Sequence, residues 1–266
     1  MILSHPQQEH LNDFLRGLRA QLIDAFEKLE SQARFIRTPW KYHHEGGGEI
    51  ALLRGDVFEK AAVNWSAVGG PSYPLSDRNG PFLARGISLI THMANPHAPT
   101  VHLNLRFIQT DCKCWFGGGY DLSPMGITYP EDTEHFHSVA RKALEPFGSE
   151  IYDNFAQTAK EYFYIPHRSK ERGVGGVFFD HLDSGDFDKD MALWQAVGNS
   201  FIHAILPIYH KRIAQPYIEE ERQVQLRFRA HYAEFNLMYD RGTRFGFQSG
   251  GNPEAILCSM PPLVQW

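Results

Sequence analysis

The segment TVHLNLRFIQT, residues 100–110, alternates between apolar and polar side chains with a period of two. A β-strand sends successive side chains to opposite faces of its sheet, so this pattern predicts a strand with one apolar and one polar face. The apolar face carries Val101, Leu103, Leu105 and Phe107, and the polar face carries His102, Asn104 and Arg106. Such a polar row fits either an ordinary solvent-facing surface or the floor of a pocket. In a pocket, Arg106 would be placed to bind a carboxylate through two parallel hydrogen bonds.

Strand-like sequence continues upstream of this segment, beginning at Glu49. The stretch GISLITHMA, residues 86–94, also alternates, and a Pro-containing turn, NPHAP, separates it from residue 100. Two strands joined by a turn are usually antiparallel neighbours. The turn therefore predicts that His92 lies near His102.

Helical periodicity, with apolar residues every three or four positions, occurs on both sides of these strands. It predicts helices over residues 7–34, 130–164 with a break near 146–148, 187–210 and 218–229. A Gly-rich strand is predicted in GVGGVFFDHL, and three C-terminal strands are predicted in AHYAEFNLMYD, TRFGFQ and AILCSMPP. Runs of strands flanked by helices predict an α+β fold. We expect a single domain over residues 1–266, with a large antiparallel β-sheet between α-helices.

Bulk composition limits the class of protein. The net charge of −5 offers no basic field for nucleic acid or for an anionic membrane. No stretch approaches the roughly 20 apolar residues needed to span a bilayer, and the N-terminus has the pattern of neither a signal peptide nor a transit peptide. Three cysteines, an odd number, indicate a reducing compartment rather than a disulfide framework. We therefore expect a cytoplasmic protein.

Aromatic and histidine residues are abundant. The chain has 14 histidines, 19 phenylalanines, 11 tyrosines and 5 tryptophans, which favours one large site lined by aromatic and imidazole groups. Four histidines, His92, His102, His137 and His167, could together bind a divalent or transition metal ion. Their spacings match no compact zinc signature, so separate core or solvated histidines are the alternative.

Charged residues next to glycines or turns mark further candidate binding loops. Arg168, Arg172 and Arg241 occur in this context, and a surface ion pair is the alternative for each. The run FGGGYD, residues 116–121, lacks the Lys-Ser/Thr of a phosphate loop. We expect it to let the backbone approach a flat ligand, with its aspartate as a buried acceptor. The sequence DRG at residues 240–242 predicts a hairpin turn.

Five long and unusual stretches occur along the chain in this order: SLITHMANPHAPTVHLNLRF, WFGGGYDLSP, EYFYIPHRSKERGVGGVFFD, EFNLMYDRGTRFGFQSGG and EAILCSMPP. Together they resemble the oxygen-dependent coproporphyrinogen III oxidase family, and the resemblance covers most of the chain from about residue 57 to residue 266. It implies a flat antiparallel sheet sandwiched between helices, and a homodimer. It also implies that two propionates of coproporphyrinogen III are oxidatively decarboxylated to vinyl groups, giving protoporphyrinogen IX in haem biosynthesis.

The same resemblance implies roles for individual residues. His102 matches the proposed catalytic proton donor, and Ser88, Asn104 and Arg106 match substrate contacts. Other substrate-binding positions correspond to Asp121, Arg168, Arg172, Asp240, Arg241, Gly250, Gly251 and Asn252. A divalent metal site of bacterial members corresponds to His92, His102, His137 and His167. The resemblance implies O₂ as co-substrate and no flavin, haem or nicotinamide.

Two features depart from the family pattern. After two glycines the family usually has Arg where this chain has Asn252, which removes a partner for a propionate. The chain also stops at Trp266, where relatives continue to a final helix. Two other functions therefore stay open on sequence alone. One is a metal-dependent oxygenase or hydrolase that uses the four histidines on another substrate, and the other is a catalytically silent tetrapyrrole-binding dimer.

Overall fold

The computed structural model describes residues 3–73 and 80–266. The strands in chain order are β1 (Ile36–Lys41), β2 (Glu45–Leu53), β3 (Phe58–Gly70), β4 (Phe82–Met93), β5 (Thr100–Thr110), β6 (Cys114–Ser123), β7 (Tyr164–Ile165), β8 (Lys170–Glu171) and β9 (Gly176–Leu182). Strands β1 to β6 and then β9 follow one another across a seven-stranded sheet, each antiparallel to its neighbours. Strands β7 and β8 form a separate small hairpin.

The α-helices are α1 (His5–Glu27), α2 (Pro130–Leu144), α3 (Ile151–Tyr162), α4 (Phe187–Arg212), α5 (Glu219–Met238), α6 (Arg241–Gln248) and α7 (Pro253–Leu257). A short 3₁₀ turn, Glu145–Phe147, separates α2 from α3. The predicted helix break near residues 146–148 is therefore confirmed, because a proline inside this turn cannot continue the hydrogen-bond ladder of α2.

One face of the sheet carries the main apolar core. Val63, Leu89 and Leu103 of β3, β4 and β5 pack in one cluster with Leu15 of α1 and Trp194 of α4. All five side chains are fully buried. Burial of each such side chain stabilises the fold by roughly 1.5–3 kcal/mol. The period-two apolar pattern of residues 100–110 thus forms a strand because every second side chain enters this core.

The opposite face of the sheet is covered by α5. Ala62 and Ile90 pack there against Tyr232 of α5. The guanidinium of Arg229, also on α5, donates a hydrogen bond to the carbonyl of Met93 at 2.7 Å. Helices therefore cover both faces, and the predicted α+β fold with a large antiparallel sheet is confirmed.

The three strands predicted between residues 230 and 262 are wrong. This region continues α5 and then forms α6 and α7. Its aromatic residues favour strands locally, but Leu226, Ala230 and Ala233 are buried at helical spacing against the rest of the protein. The predicted hairpin turn at residues 240–242 is also wrong. Asp240 is the N-cap of α6, and its carboxylate accepts the backbone N–H of Thr243 at 2.6 Å.

Among the described residues, no helix combines the length and apolar character that crossing a membrane requires.

Candidate active site

The polar face of β5 is continued across the neighbouring strands by their register. Ser88 of β4 lies between Asn64 of β3 and Asn104 of β5 in one cross-strand row. In the next row Arg106 lies between Gly86 and Gly117, two residues without side chains. Cross-strand partners on one face are only about 4.5–5.5 Å apart. The strand pairing thus assembles a compact polar patch that no single strand contains.

This patch is the floor of a cavity of about 810 Å³, within the size range of ligand sites. Ser88, His102, Asn104 and Arg106 all line it, as predicted from the sequence. Aromatic side chains form much of its wall, including Trp40, Tyr42, Trp65, Tyr73, Trp115 and Phe178. Of the two alternatives left open for the polar strand face, the structure therefore supports a pocket floor rather than an ordinary surface.

The segment after α5 closes one side of the cavity. Asp240, Arg241, Gly251 and Asn252 line it, whereas Gly250 does not. The Tyr162 hydroxyl donates to Asp240 at 2.8 Å. Burial alone raises the pKa of Asp240, but hydrogen bonds from the backbone of Thr243 and from Tyr162 outweigh burial and keep the pKa below its ordinary value. Asp240 is therefore a charged wall residue at neutral pH.

Arg106 already has protein partners on the floor. Its guanidinium donates to the Asn104 side-chain oxygen at 3.0 Å and pairs with the carboxylate of Asp180 at 2.9 Å. It also lies over the ring of Phe178, 5.5 Å from the centroid. These contacts hold the guanidinium facing the cavity, where it can bind an anion.

A buried charge pair lies directly behind His102. The imidazole donates from Nδ1 to Asp121 at 3.2 Å, and Arg172 donates to the same carboxylate oxygen at 2.5 Å. Arg172 is enclosed by the rings of Phe163 and Phe235, at 4.3 and 4.7 Å. Burial raises the pKa of Asp121, but Arg172 and His102 outweigh burial and lower it to about 2. Asp121 is thus ionised and fixes the orientation of His102.

Besides Gly250, three predicted substrate contacts do not line the cavity. Asp121 and Arg172 lie behind His102, where they form a buried ion pair with each other. Arg168 lies outside and donates twice to Glu234, at 2.9 and 2.5 Å. Arg168 thus forms the ion pair that was the alternative for it.

The four predicted metal-binding histidines are not brought together. Each has separate partners: His92 contacts the Ser259 carbonyl, His102 contacts Asp121, His137 contacts Tyr152 and the Val174 carbonyl, and His167 contacts Glu234 and Tyr239. Across residues 3–73 and 80–266, no group of three or more His, Cys, Asp or Glu side chains is arranged to hold a metal ion. The four histidines therefore do not form a binding site for one metal ion within a single chain, because they lie on different elements and contact different partners.

The glycines of β6 make room for protein atoms rather than for a flat ligand. A Cβ on Gly117 would lie 2.8 Å from Asp180 and 3.1 Å from Arg106. Gly118 has a φ of +141°, and its Cβ would lie 2.2 Å from the Asn104 carbonyl oxygen. These glycines were expected to let the backbone approach a ligand. In the structure they instead allow β6 to pack closely against protein atoms of the neighbouring strands.

Sequence reasoning missed several cavity residues, among them Asn64, Trp65, Asp180 and His181. Asn64 and Trp65 belong to a strand that was recognised, but the register that places Asn64 beside Ser88 is not visible in one sequence. Asp180 and His181 lie near the end of a predicted strand, and period two would place only one of them on the cavity side.

Residues 10–266 match a protein family whose description is Coproporphyrinogen III oxidase. Two curated relatives come from Coxiella burnetii, strains RSA 331 / Henzerling II and Dugway 5J108-111, and both are named oxygen-dependent coproporphyrinogen-III oxidase. Each is 44% identical to this chain, over 95% of the chain and 86% of the relative.

Proposed function

This chain belongs to the coproporphyrinogen III oxidase family, and from that premise we propose that it converts coproporphyrinogen III to protoporphyrinogen IX by oxygen-dependent oxidative decarboxylation in haem biosynthesis. The observation that carries the proposal is the cavity of about 810 Å³ with a polar floor and aromatic walls. An apolar macrocycle that bears four carboxylates needs both, because its rings pack against apolar walls while its carboxylates need charged donors.

The cavity offers a distinct role to each predicted residue that lines it. Arg106 and Arg241 face the cavity as cations and bind propionate carboxylates. Ser88 and Asn104 hydrogen-bond the polar edge of the substrate from the floor. His102 exchanges a proton with the substrate, since Asp121 holds its Nδ1 and leaves Nε2 for that task.

The reaction transforms two propionates in the same way. The carboxylate carbon leaves as CO₂, and the electrons of the broken bond form the vinyl double bond. The carbon next to the ring loses a hydrogen with its bonding electrons, and O₂ takes up this hydrogen, its electron pair and one proton to become hydrogen peroxide. The propionate side chain is the reductant, and the electron-rich pyrrole stabilises the positive charge left when the hydrogen departs with its electrons. The protein therefore supplies orientation and proton transfer. No step is assigned to a metal, because the predicted ligands do not meet.

We expect purified protein in air to convert coproporphyrinogen III to protoporphyrinogen IX without added flavin, nicotinamide or S-adenosylmethionine. The reason is that the substrate itself provides the electrons and O₂ accepts them. Product is measured by porphyrin fluorescence after oxidation, together with released CO₂, under air and under argon. Equal turnover under argon, or strict dependence on an added organic cofactor, contradicts the proposal.

Asn252 is expected to weaken the hold on one carboxylate. It lines the cavity, but its side-chain oxygen caps α7 by accepting the N–H of Glu254 at 2.9 Å, and it carries no charge. We expect the tricarboxylic intermediate to accumulate with the wild type. Asn252→Arg should suppress this release and tighten substrate binding about tenfold or more, since a charged hydrogen bond contributes about 1.5–3 kcal/mol.

Product ratios and affinities of wild type and Asn252→Arg are compared by chromatography and fluorescence titration. Gln248→Arg adds the same charge at the exposed end of α6, outside the cavity, and serves as the control. No intermediate from the wild type, together with no gain in the variant, would mean that Asn252 only caps α7.

The proposed enzyme is a homodimer that acts in the cytoplasm. Support for the dimer comes from exposed apolar side chains near the C-terminus, such as Leu237, Met238 and Trp266, which are 55, 54 and 76% exposed. Support for the cytoplasm comes from Cys112, Cys114 and Cys258, which are free thiols.

A further inference from the structure

Strand β9 has an irregular pairing with β6 beside the cavity. Phe116 pairs with Leu182 and Gly118 pairs with Phe179, so that Asp180 and His181 together lie opposite Gly117. This two-against-one arrangement is a β-bulge. Its consequence is that Asp180 and His181 both line the cavity, while Leu182 returns to the apolar core on the other face.

The bulge contains a residue with an unfavourable backbone conformation. His181 has a φ of +54°, in the left-handed region that residues with a Cβ seldom adopt. Such a conformation is unfavourable and is kept where the surrounding structure requires it. Gly117 is the second special feature, because a Cβ there would lie 2.8 Å from the Asp180 carboxylate. Both features serve to place this carboxylate on the cavity side of the sheet.

The carboxylate of Asp180 lies between two arginines. One of its oxygens is 2.9 Å from the guanidinium of Arg106 and 3.7 Å from that of Arg241. The other oxygen accepts the backbone N–H of His181 at 3.1 Å. Burial raises the pKa of Tyr73 on the cavity wall, and the negative charge of Asp180 raises that pKa further. The bulge thus supplies both the position of the carboxylate and one of its hydrogen bonds.

The charges of this group do not cancel. Two guanidinium groups and one carboxylate leave one positive charge facing the cavity, and that charge matches a single carboxylate of a ligand. The side chains of Arg106 and Asp180 are only 25 and 20% exposed, so their attraction is less screened than at an open surface. Arg241 is 55% exposed, and its guanidinium lies over the ring of Tyr162, 4.8 Å from the centroid.

We propose that Asp180 is a positioning residue, which holds Arg106 and Arg241 together as a receptor for one propionate of the substrate. The proposal rests on the proposed function for the identity of the ligand. Without the carboxylate, the two guanidinium groups repel each other and Arg241 turns toward solvent. The anion can still bind to two cations, but the reacting propionate is no longer held at a fixed angle and distance.

The test is Asp180→Asn, which keeps the shape of the side chain and removes its charge. We expect kcat for coproporphyrinogen III to fall by about 10- to 100-fold, the range of effects that follow small misplacements of substrate. Affinity for non-reacting coproporphyrin III, measured by fluorescence titration, should be equal to that of wild type or tighter. The control is Asp183→Asn, the same change at an exposed position just beyond β9 and outside the cavity.

A double-mutant cycle separates positioning from a structural or direct role. In an Arg106→Gln background, Asp180→Asn should cost much less kcat than it does in wild type, because the carboxylate acts through the arginine. Full additivity of the two changes overturns the proposal, and so does an unchanged kcat in Asp180→Asn. Clearly weaker porphyrin binding in Asp180→Asn also overturns it, since that result means Asp180 contacts the substrate itself.

The binding titrations keep the two proposals distinguishable. Wild-type protein that binds coproporphyrin III and releases no CO₂ contradicts the proposed function alone. In that case the coupling between Asp180 and Arg106 is measured from the porphyrin affinities of the same four proteins. Additive effects of the two substitutions on affinity then overturn the proposed receptor. If Asp180→Asn fails to fold, Asp180→Glu restores the charge on a longer arm beside Gly117. It should then bind porphyrin like wild type with a reduced kcat, and a wild-type kcat in this variant overturns the proposal.

Discussion

His102→Ala is expected to lower kcat by about 10²–10⁴-fold, the usual contribution of a general acid or base, and to leave the melting temperature nearly unchanged. His102 lies on the cavity floor with Nδ1 held by Asp121, so Nε2 is the nitrogen that meets the substrate. Stability should persist because the Asp121 carboxylate keeps its ion pair with Arg172 and its hydrogen bond from Ser123. Steady-state kinetics and thermal unfolding of the same preparation check both expectations.

The matched control for this change is His137→Ala. His137 lies away from the cavity, bound to the Tyr152 hydroxyl and to the Val174 carbonyl, so kcat should stay close to that of wild type. A different result would restore the metal hypothesis. If His92, His137 and His167 variants lose as much activity as His102→Ala, and all four lose a bound metal ion by elemental analysis, the metal site replaces the proton donor.

Asp121→Asn is expected to destabilise the protein by about 3–5 kcal/mol at neutral pH, because it leaves the buried cation of Arg172 without a counter-ion. The side chains of Asp121 and Arg172 are 2 and 1% exposed, so water cannot replace the lost charge. Activity should fall as well, since the amide no longer attracts the imidazole of His102 as the carboxylate does. Urea unfolding of the two proteins at pH 7 gives the difference in the free energy of unfolding.

The destabilisation should depend on pH in one direction. The folded-state pKa of Asp121 is about 2, below its ordinary value of 3.8, so the ionised carboxylate stabilises the fold above pH 4. Its contribution, on the order of 2 kcal/mol, is lost as the pH falls toward the folded-state pKa. Wild type should therefore approach Asp121→Asn in stability as the pH is lowered from 5 toward 2.

The control for this pH dependence is Asp153→Asn. Asp153 pairs with Arg141 at 3.0 Å, but the two side chains are 64 and 57% exposed, and such pairs contribute roughly 0–1 kcal/mol. A stability difference between wild type and Asp121→Asn that stays constant with pH would contradict the assignment to the Asp121 charge.

Much of the candidate site could be predicted because period two is a property of the backbone. Alternation in residues 100–110 correctly predicted that His102, Asn104 and Arg106 share a face, and the turn after Met93 correctly paired β4 with β5. The motifs then indicated the family, which the comparisons confirm. The C-terminal strands were wrong because aromatic residues favour strands locally, whereas the contacts that make residues 230–257 helical come from distant parts of the chain.

By itself, then, the sequence determined the antiparallel sheet, the polar strand face and the family, since each depends on residues close together in the chain. The tertiary structure alone decided that Asp121 and Arg172 lie behind His102 rather than in the cavity, and that the four histidines stay apart. It also decided that a bulge opposite Gly117 turns Asp180 toward Arg106 and Arg241. The physical reason is that register, bulges and charge pairs are set by hydrogen bonds and burial between segments far apart in sequence, which no local pattern encodes.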